Sequence, residues 1–448
     1  MSRPEPDHRS DRKRAAAERG AVEIVRALRG QGKTAYLAGG CVRDTLLGLA
    51  PTDFDVATNA TPDEVLELFD DAHAVGKSFG VVIVRFGRGS LGETAGSPSP
   101  AATIEVATFR REGAYSDKRR PDSVEFCGPD EDAKRRDFTI NAMFLDPLAD
   151  GPVERRVIDT VGGLDDIRDG IIRAVGNPAD RLAEDHLRAL RAVRFASRFG
   201  FAIEPVTGAA IREHAADLQG VSPERIGDEL RRMLGRRVPV EARRRAIELI
   251  ECLNLAIPIL GSEQGVQLSG ASWSVLDAIG SSSDFPTTLL AWLHDREGLG
   301  RANADQASDR LVAQSRLLRR SIVLSNEETD DLVGISRGLV HLERGWTGAS
   351  VSQRKRWAAS DWFDGALVLL NGRNPDAASR VQSDRNSLAS DPIGLAPEPW
   401  VSGDDLIASG LRPGPDFKER LARAYDAQLE GSAATAHEAL QVALADPD

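Results

Sequence analysis

The spacing of apolar positions changes along this chain, and the change divides it. Residues 19–30 put Val22, Ile24, Val25 and Leu28 at helical spacing. TAYLAGG (34–40) predicts a short strand running into a glycine turn, VRDTLLG (42–48) a helix closed by Gly48, and FDVAT (54–58) a second strand. Thr61 as cap, Pro62 at the first helical position and Glu64 three residues after the cap mark a helix start. GVVIVRFG (80–87) and ATIEVATFR (102–110) predict strands, with the low-complexity loop GRGSLGETAGSPSPA between them. From about residue 165 the period is helical. Residues 179–200 give the strongest single helix, with Leu182, Leu187, Leu190, Val193 and Phe195 as core and Gly200 as stop. Further helices are expected at 223–234, 241–254, 274–298 and 308–320, and the pattern continues to PDFKERLARAYDAQLEG. The fold class is α+β, a small mixed α/β part followed by an all-helical remainder.

A chain of 448 residues is too long for one ordinary core. The expected division is a disordered N-terminus (1–18), a mixed unit (19–160) and helical units over 161–240, 241–345 and 346–448. Cys41, Cys127 and Cys252 are odd in number and widely spaced, which argues against a disulfide framework or structural zinc and fits a reducing cytoplasm. The charged N-terminus has no apolar core and is not a signal peptide, and no apolar run reaches membrane-spanning length. The net charge of −12 argues mildly against a nucleic-acid binder. Residues 225–245 argue the other way, with eight arginines against three acids. That segment reads equally as a phosphate-binding face or as a solvated helix face.

The candidate chemistry lies at Gly39-Gly40-Cys41-Val42-Arg43-Asp44, followed by Asp53-Phe54-Asp55. Carboxylates at i and i+2 on a strand face the same way, and Asp53 and Asp55 together offer the oxygen ligands that hard divalent cations such as Mg²⁺ prefer. Two metals held there activate an attacking hydroxyl and steady a leaving pyrophosphate. The glycine pair lets backbone N–H groups approach triphosphate oxygens, and Arg43 is placed to neutralise their charge. A glycine pair alone is usually a turn, and a DxD alone is usually a solvated strand end. Their combination at strand–turn–helix–strand spacing is the informative feature.

This segment closely resembles the head motif of the class II tRNA nucleotidyltransferase and bacterial poly(A) polymerase family, within the DNA polymerase beta superfamily. The resemblance implies a nucleotidyltransferase palm (the head) followed by a helical neck, body and tail. It also implies a third acid on a later strand, for which Glu105 is the candidate; the alternative for Glu105 is a solvated strand residue. Arg135-Arg136-Asp137-Phe138-Thr139-Ile140-Asn141 resembles the block that holds the nucleotide's sugar and triphosphate. By that resemblance Arg136 contacts the nucleotide, with Gly40 and Arg43, and Asp137 distinguishes ribose from deoxyribose. The bland reading makes Asp137 a helix cap. Glu184-Asp185-His186-Leu187-Arg188 resembles the block that reads the incoming base without a nucleic-acid template, and Arg191 and Arg194 continue the series. Asp accepts and Arg donates, so Asp185 and Arg188 suit the amino donor and ring-nitrogen acceptor shared by cytosine and adenine. The alternative is an i,i+3 surface ion pair.

The resemblance implies a template-independent enzyme that uses CTP and ATP with Mg²⁺ to add CCA, or the terminal A, to a tRNA 3′ end. A general poly(A) polymerase is the main alternative. VGKSFGVVIVRF (75–86) lacks the arginine-rich block of the poly(A) branch, which favours tRNA. REGAYSDKRRP (111–121) resembles the family's flexible loop, which favours CCA or A addition over CC addition alone. A non-catalytic RNA-binding relative would be expected to lose an aspartate of the DxD or a member of the Asp185–Arg188 pair. A small-molecule transferase would leave the base-reading block and the helical tail without a role. His294-Asp295 resembles a metal-phosphohydrolase pair but has no further histidine–aspartate set to complete it, so it is read as structural.

Overall fold

Helix α1 (His8–Gly30) lies across a mixed sheet and packs on its central strands. The computed structural model describes residues 8–76, 80–86, 102–113, 124–260 and 273–445. The expectation of disorder through residue 18 is corrected for residues 8–18. The alanine run there favours helix, and Ala16 and Ala21 are buried against the sheet. The loop at 87–101 lies outside the described residues, as does most of the 111–121 segment.

The strands are β1 (Ala35–Ala38), β2 (Asp55–Thr58), β3 (Ala72–Gly76), β4 (Val81–Phe86), β5 (Ala102–Thr108), β6 (Arg110–Glu112), β7 (Val124–Phe126), β8 (Phe144–Leu145) and β9 (Val157–Ile158). Among the described residues seven of them form one sheet in the order β3-β4-β5-β2-β1-β8-β9, and β6 pairs with β7 alone. β2 and β5 are parallel, while β1 is antiparallel to both β2 and β8. One sheet face buries Leu37, Val56, Val82, Val84, Ile104 and Val106 beneath α1 and helix α3 (Pro62–Leu68). The other buries Ala38, Ala57, Phe109 and Phe144. α3 carries the capping box read from the sequence, with Thr61 and Glu64 bonding reciprocally. β3 was not anticipated. It is an edge strand whose Val75 stays exposed, so it lacks the apolar alternation that marks a half-buried strand.

Helix α2 (Gly40–Leu46) follows β1, α4 (Pro129–Lys134) follows β7, and α5 (Gly163–Asp169) follows β9. The helix expected over 179–200 is two helices, α6 (Pro178–Glu184) and α7 (Arg188–Phe199). Asp185 between them is extended (φ −155°, ψ 103°), and its Oδ1 accepts the Leu187 N–H at 3.1 Å. The carboxylate thus closes a local turn between the two helices. The named core positions hold, with Leu182, Leu187, Leu190, Val193 and Phe195 all buried. Among the described residues the remainder after the sheet is helical, with one two-residue parallel pairing of 171–172 with 202–203.

The chain divides into two compact units, Met1–Ser222 with Leu249–Pro258, and Pro223–Glu248 with Ile259–Asp448. The second is helical. The helix expected over 274–298 begins only at Phe285, because Asp284 caps the Thr287 N–H and Pro286 sits in the first turn. Near the C-terminus, Val401, Leu406, Ala424, Ala427, Ala439 and Ala443 form a small core of their own.

Candidate active site

Asp53, just ahead of β2, and Asp55, its first residue, flank buried Phe54 and are both exposed, so the alternation puts the two carboxylates on the side away from Phe54. Asp55 on β2 is the register partner of Glu105 on the parallel strand β5 and of Ala38 on β1. Register partners share a face, so Glu105 joins the aspartates and the chain leaving Ala38 enters the glycine turn beside them. The Asp55 carboxyl is pushed up to about 6, first by withdrawal from water, then by the negative charges of Glu105 and Asp53; Arg136 opposes the rise. Asp55 keeps an open solvent side, but its carboxylate stands among protein atoms and like charges. Among the described residues the three acids do not close into a ready-made metal cage. Their mutual repulsion and oxygen-only chemistry nevertheless fit a hard divalent cation.

Gly39 turns the chain with φ 71° and ψ −128°, a conformation that only glycine adopts readily. An added Cβ would lie 3.2 Å from Nη1 of Arg136, so the turn also makes room for that arginine. Gly40 begins α2. Arg136 is held from behind. Its Nε and Nη2 donate to Asp132 Oδ2 at 3.1 and 3.0 Å, Nη1 donates to the Asn141 carbonyl at 3.2 Å, and the guanidinium lies over the Phe144 ring. Arg135 takes the other oxygen of Asp132, which also accepts the Arg110 N–H. Burial alone would raise the Asp132 pKa, but the two arginines outweigh it and hold the carboxyl below the usual range. Sequence reasoning missed Asp132, although its i+3 and i+4 spacing to two arginines in PDEDAKRR was a usable signal.

Arg43 is placed otherwise than expected. It is 5% exposed, and its Nε and Nη2 donate to Asp44 Oδ1 at 2.8 and 2.6 Å while Nη1 donates to Asn141 Oδ1 at 2.5 Å. Its guanidinium also lies over the rings of Phe195 and Phe199. The expectation that it meets phosphate is therefore corrected: the side chain points into the protein, where those acceptors satisfy it. Asp137 accepts the Phe138 N–H and Asn141 Nδ2 on Oδ1, and Arg191 Nε and Nη2 on Oδ2 at 2.8 and 2.6 Å. Burial pushes its pKa up, but Arg191 and these hydrogen bonds hold it down. The short helix that follows (Thr139–Asn141) starts from Phe138 with no side-chain cap, so Asp137 braces the block through Asn141 and Arg191 rather than as a helix cap.

Asp185 and Arg188 are not neighbours on one helix, because the chain breaks between them. Arg188 Nη1 instead donates to Glu184 Oε2 at 2.5 Å and to the Arg181 carbonyl at 2.8 Å, while Nη2 reaches the Arg135 carbonyl at 3.4 Å. Arg194 lies half-buried with its guanidinium over Phe195. The three sequence blocks nevertheless come together, since Arg43 reaches Asn141, Arg188 reaches Arg135 and Arg191 grips Asp137.

Residues 35–173 match the family described as "Poly A polymerase head domain", and residues 200–249 match "Probable RNA and SrmB- binding site of polymerase A". A curated relative from Geobacillus stearothermophilus, named CCA-adding enzyme, is 33% identical over 92% of this chain and 92% of its own. A second CCA-adding enzyme, from Lactiplantibacillus plantarum, is 34% identical over 91% of each. This chain belongs to the CCA-adding enzyme family. The crystal structure of the Bacillus stearothermophilus CCA-adding enzyme in complex with CTP superposes with a TM-score of 0.62 at 28% identity, covering 92% of this chain and 93% of that one. A Thermotoga maritima CCA-adding enzyme complexed with tRNA shares the fold, with a TM-score of 0.63 at 18% identity over 95% of this chain and 94% of that one.

Within this member of the CCA-adding family the arginine-rich segment 225–245 is largely spent on its own unit. Arg231 makes a two-pronged pair with Glu328 at 2.7 Å on each prong, Arg232 binds Glu229, and Arg244 binds Glu248 and Asp277. Arg243 is fully buried and donates to the carbonyls of Val238, Ser283 and Arg236. His294 and Asp295 are buried too. Asp295 accepts the N–H groups of Val275 and Leu276, and His294 Nε2 faces Arg373, which agrees with their structural reading.

Proposed function

We propose that this chain completes the 3′ CCA end of tRNA by template-independent nucleotidyl transfer from CTP and ATP. The observation that carries the reading is the register that sets Asp55 and Glu105 on one sheet face, with Asp53 two residues ahead of Asp55 and close enough for its charge to act on it, beside the Gly39 turn and Arg136, in a chain of the CCA-adding family. Asp53 and Asp55 hold the divalent cation, with Glu105 assisting, and Mg²⁺ is the ion proposed. Bound there, it supplies Lewis acidity toward the 3′ hydroxyl and the departing pyrophosphate. Gly40 and Arg136 hold phosphates and sugar, with Arg43 and Asp137 as props behind them. Asp185 and Arg188 read the base, which requires Arg188 to leave Glu184, while Arg191 and Arg194 keep the helix in place. The later helices hold the tRNA by shape and phosphate contacts. The dispersed thiols suit work in the cytoplasm.

The test offers tRNA lacking CCA, tRNA ending in C and tRNA ending in CC, each with single labelled nucleotides. C should enter the first two and A the third, with U and G refused. Long A tails on unrelated RNA would overturn the tRNA reading, and A addition alone would restrict the enzyme to the last step.

A further inference from the structure

Helix α7 and the glycine-turn helix α2 are joined by a chain of side chains, two of which, Asp44 and Arg198, have no part in the nucleotide reading. Asp44 on α2 is 7% exposed and divides its two oxygens. Oδ1 takes Nε and Nη2 of Arg43, and Oδ2 takes Nη2 of Arg198 on α7 at 3.3 Å. Arg43 continues to Asn141, Asn141 to Asp137, and Asp137 to Arg191, again on α7. Arg191 and Arg198 are seven residues apart, two turns of one helix face. The chain therefore leaves α7, passes through the turn helix and the 135–142 block, and returns to α7. Phe195 and Phe199 fill its interior, under the guanidinium of Arg43. A helix held at two points two turns apart can neither slide nor rotate freely. Without Arg198 the C-terminal turn of α7 loses its ion pair to α2 and keeps only its packing, while the Arg188 and Arg191 contacts hold the helix near its start.

We propose that Asp44, acting through Arg198, is a positioning residue for nucleotide choice. It fixes the distance and rotation between the turn that meets the phosphates and the helix whose first residues meet the base. The inference rests on the proposed base reading by Asp185 and Arg188 and deepens it. A nucleotide bridges both ends, so a small pivot of α7 shifts the base reader while the carboxylates stay where they are. The consequence falls on nucleotide KM and on selectivity, and much less on kcat.

Arg198 is the residue to vary, because its side chain is 50% exposed and its removal leaves no cavity. Arg198→Ala should raise KM for CTP and ATP roughly fivefold to twentyfold, lower the preference for CTP over UTP by a similar factor, and leave kcat within about twofold, as expected for the loss of one charge-assisted contact. Arg198→Lys should restore most of both, and Asp44→Asn should reproduce the Ala phenotype. A loss of thermal stability with equal loss for all four nucleotides would mean that the contact is only structural, and would overturn the proposal. Unchanged KM and selectivity would overturn it as well. Asp185→Ala, run beside it, separates the two levels. Selectivity lost in Asp185→Ala but kept in Arg198→Ala removes the positioning role alone. Selectivity kept in Asp185→Ala removes the base-reading assignment, and Arg198→Ala still decides whether the α2–α7 link sets nucleotide choice.

Discussion

At the residue scale the site is governed by a carboxylate withdrawn from water and set among like charges. A carboxyl whose pKa rises on folding, as Asp55 rises to about 6, binds its proton more tightly in the folded state than at the unfolded value of about 3.9. Metal-free stability should therefore fall as pH rises from about 4 to 6, and the deficit should persist above 6. A divalent cation that binds the ionised form offsets the deficit. Added Mg²⁺ should raise Tm at pH 7.5 and do so much less at pH 5, where protons compete for the same oxygens. Asp55→Asn should lose transfer yet melt higher than the metal-free wild type at pH 7.5, and should not respond to Mg²⁺. Melting curves with and without metal at the two pH values check this; a wild-type Tm indifferent to Mg²⁺ at pH 7.5 would remove the metal assignment. The paired aspartates were legible in the sequence because the strand period is two. The inward turn of Arg43 was not, because it depends on Asn141, 98 residues away.

At the element scale the turns carry as much of the argument as the helices. Gly39 holds a conformation that costs an L-residue about 1–3 kcal/mol, and it stands against Arg136. Gly39→Ala should destabilise the protein by about that amount and raise nucleotide KM by tilting Arg136. Gly227→Ala is the control. Its Cβ would meet the Ile322 carbonyl at 2.1 Å within the second unit, so it should cost stability with a smaller change in KM per degree of Tm lost. Equal KM effects at matched Tm would deny Gly39 a specific role. The break at Asp185 shows what periodicity misses. Leu182 to Phe195 keep helical spacing across residues 185–187, so the apolar pattern reads as one helix. The deciding interaction is a side-chain oxygen that accepts the Leu187 N–H, a bond invisible to an apolar count.

At the scale of the whole molecule the arginine-rich segment shows how charge that looks available is consumed by folding. Arg243→Ala strips three carbonyls of their donor, that of buried Ser283 among them, and should cost several kcal/mol, roughly 3 or more. It should leave the salt dependence of tRNA binding unaltered in whatever protein remains folded. Arg237 is exposed, and Arg237→Glu should do the opposite, weakening tRNA binding and flattening its salt slope with little change in Tm. Chemical denaturation and binding titrations over a range of salt check both. A normal melting curve for Arg243→Ala would contradict its buried role.

The sequence by itself determined the α+β class, the strand–turn–helix–strand unit and the common face of Asp53 and Asp55. Each rests on local geometry, namely strand period, glycine conformation and helix capping, and local geometry is encoded within a few residues. Tertiary structure alone decided which of the charged side chains face a ligand and which face the protein. Arg43, Asp137, Arg188 and Arg243 look alike in the sequence as free polar groups. Each joins a partner close in sequence, such as Asp44 for Arg43 or Glu184 for Arg188, to others from distant segments or backbone carbonyls, and a buried charge is tolerable only where such partners converge. That convergence is a property of the folded chain, because it exists only once the sheet, the turn and helix α7 have been brought together.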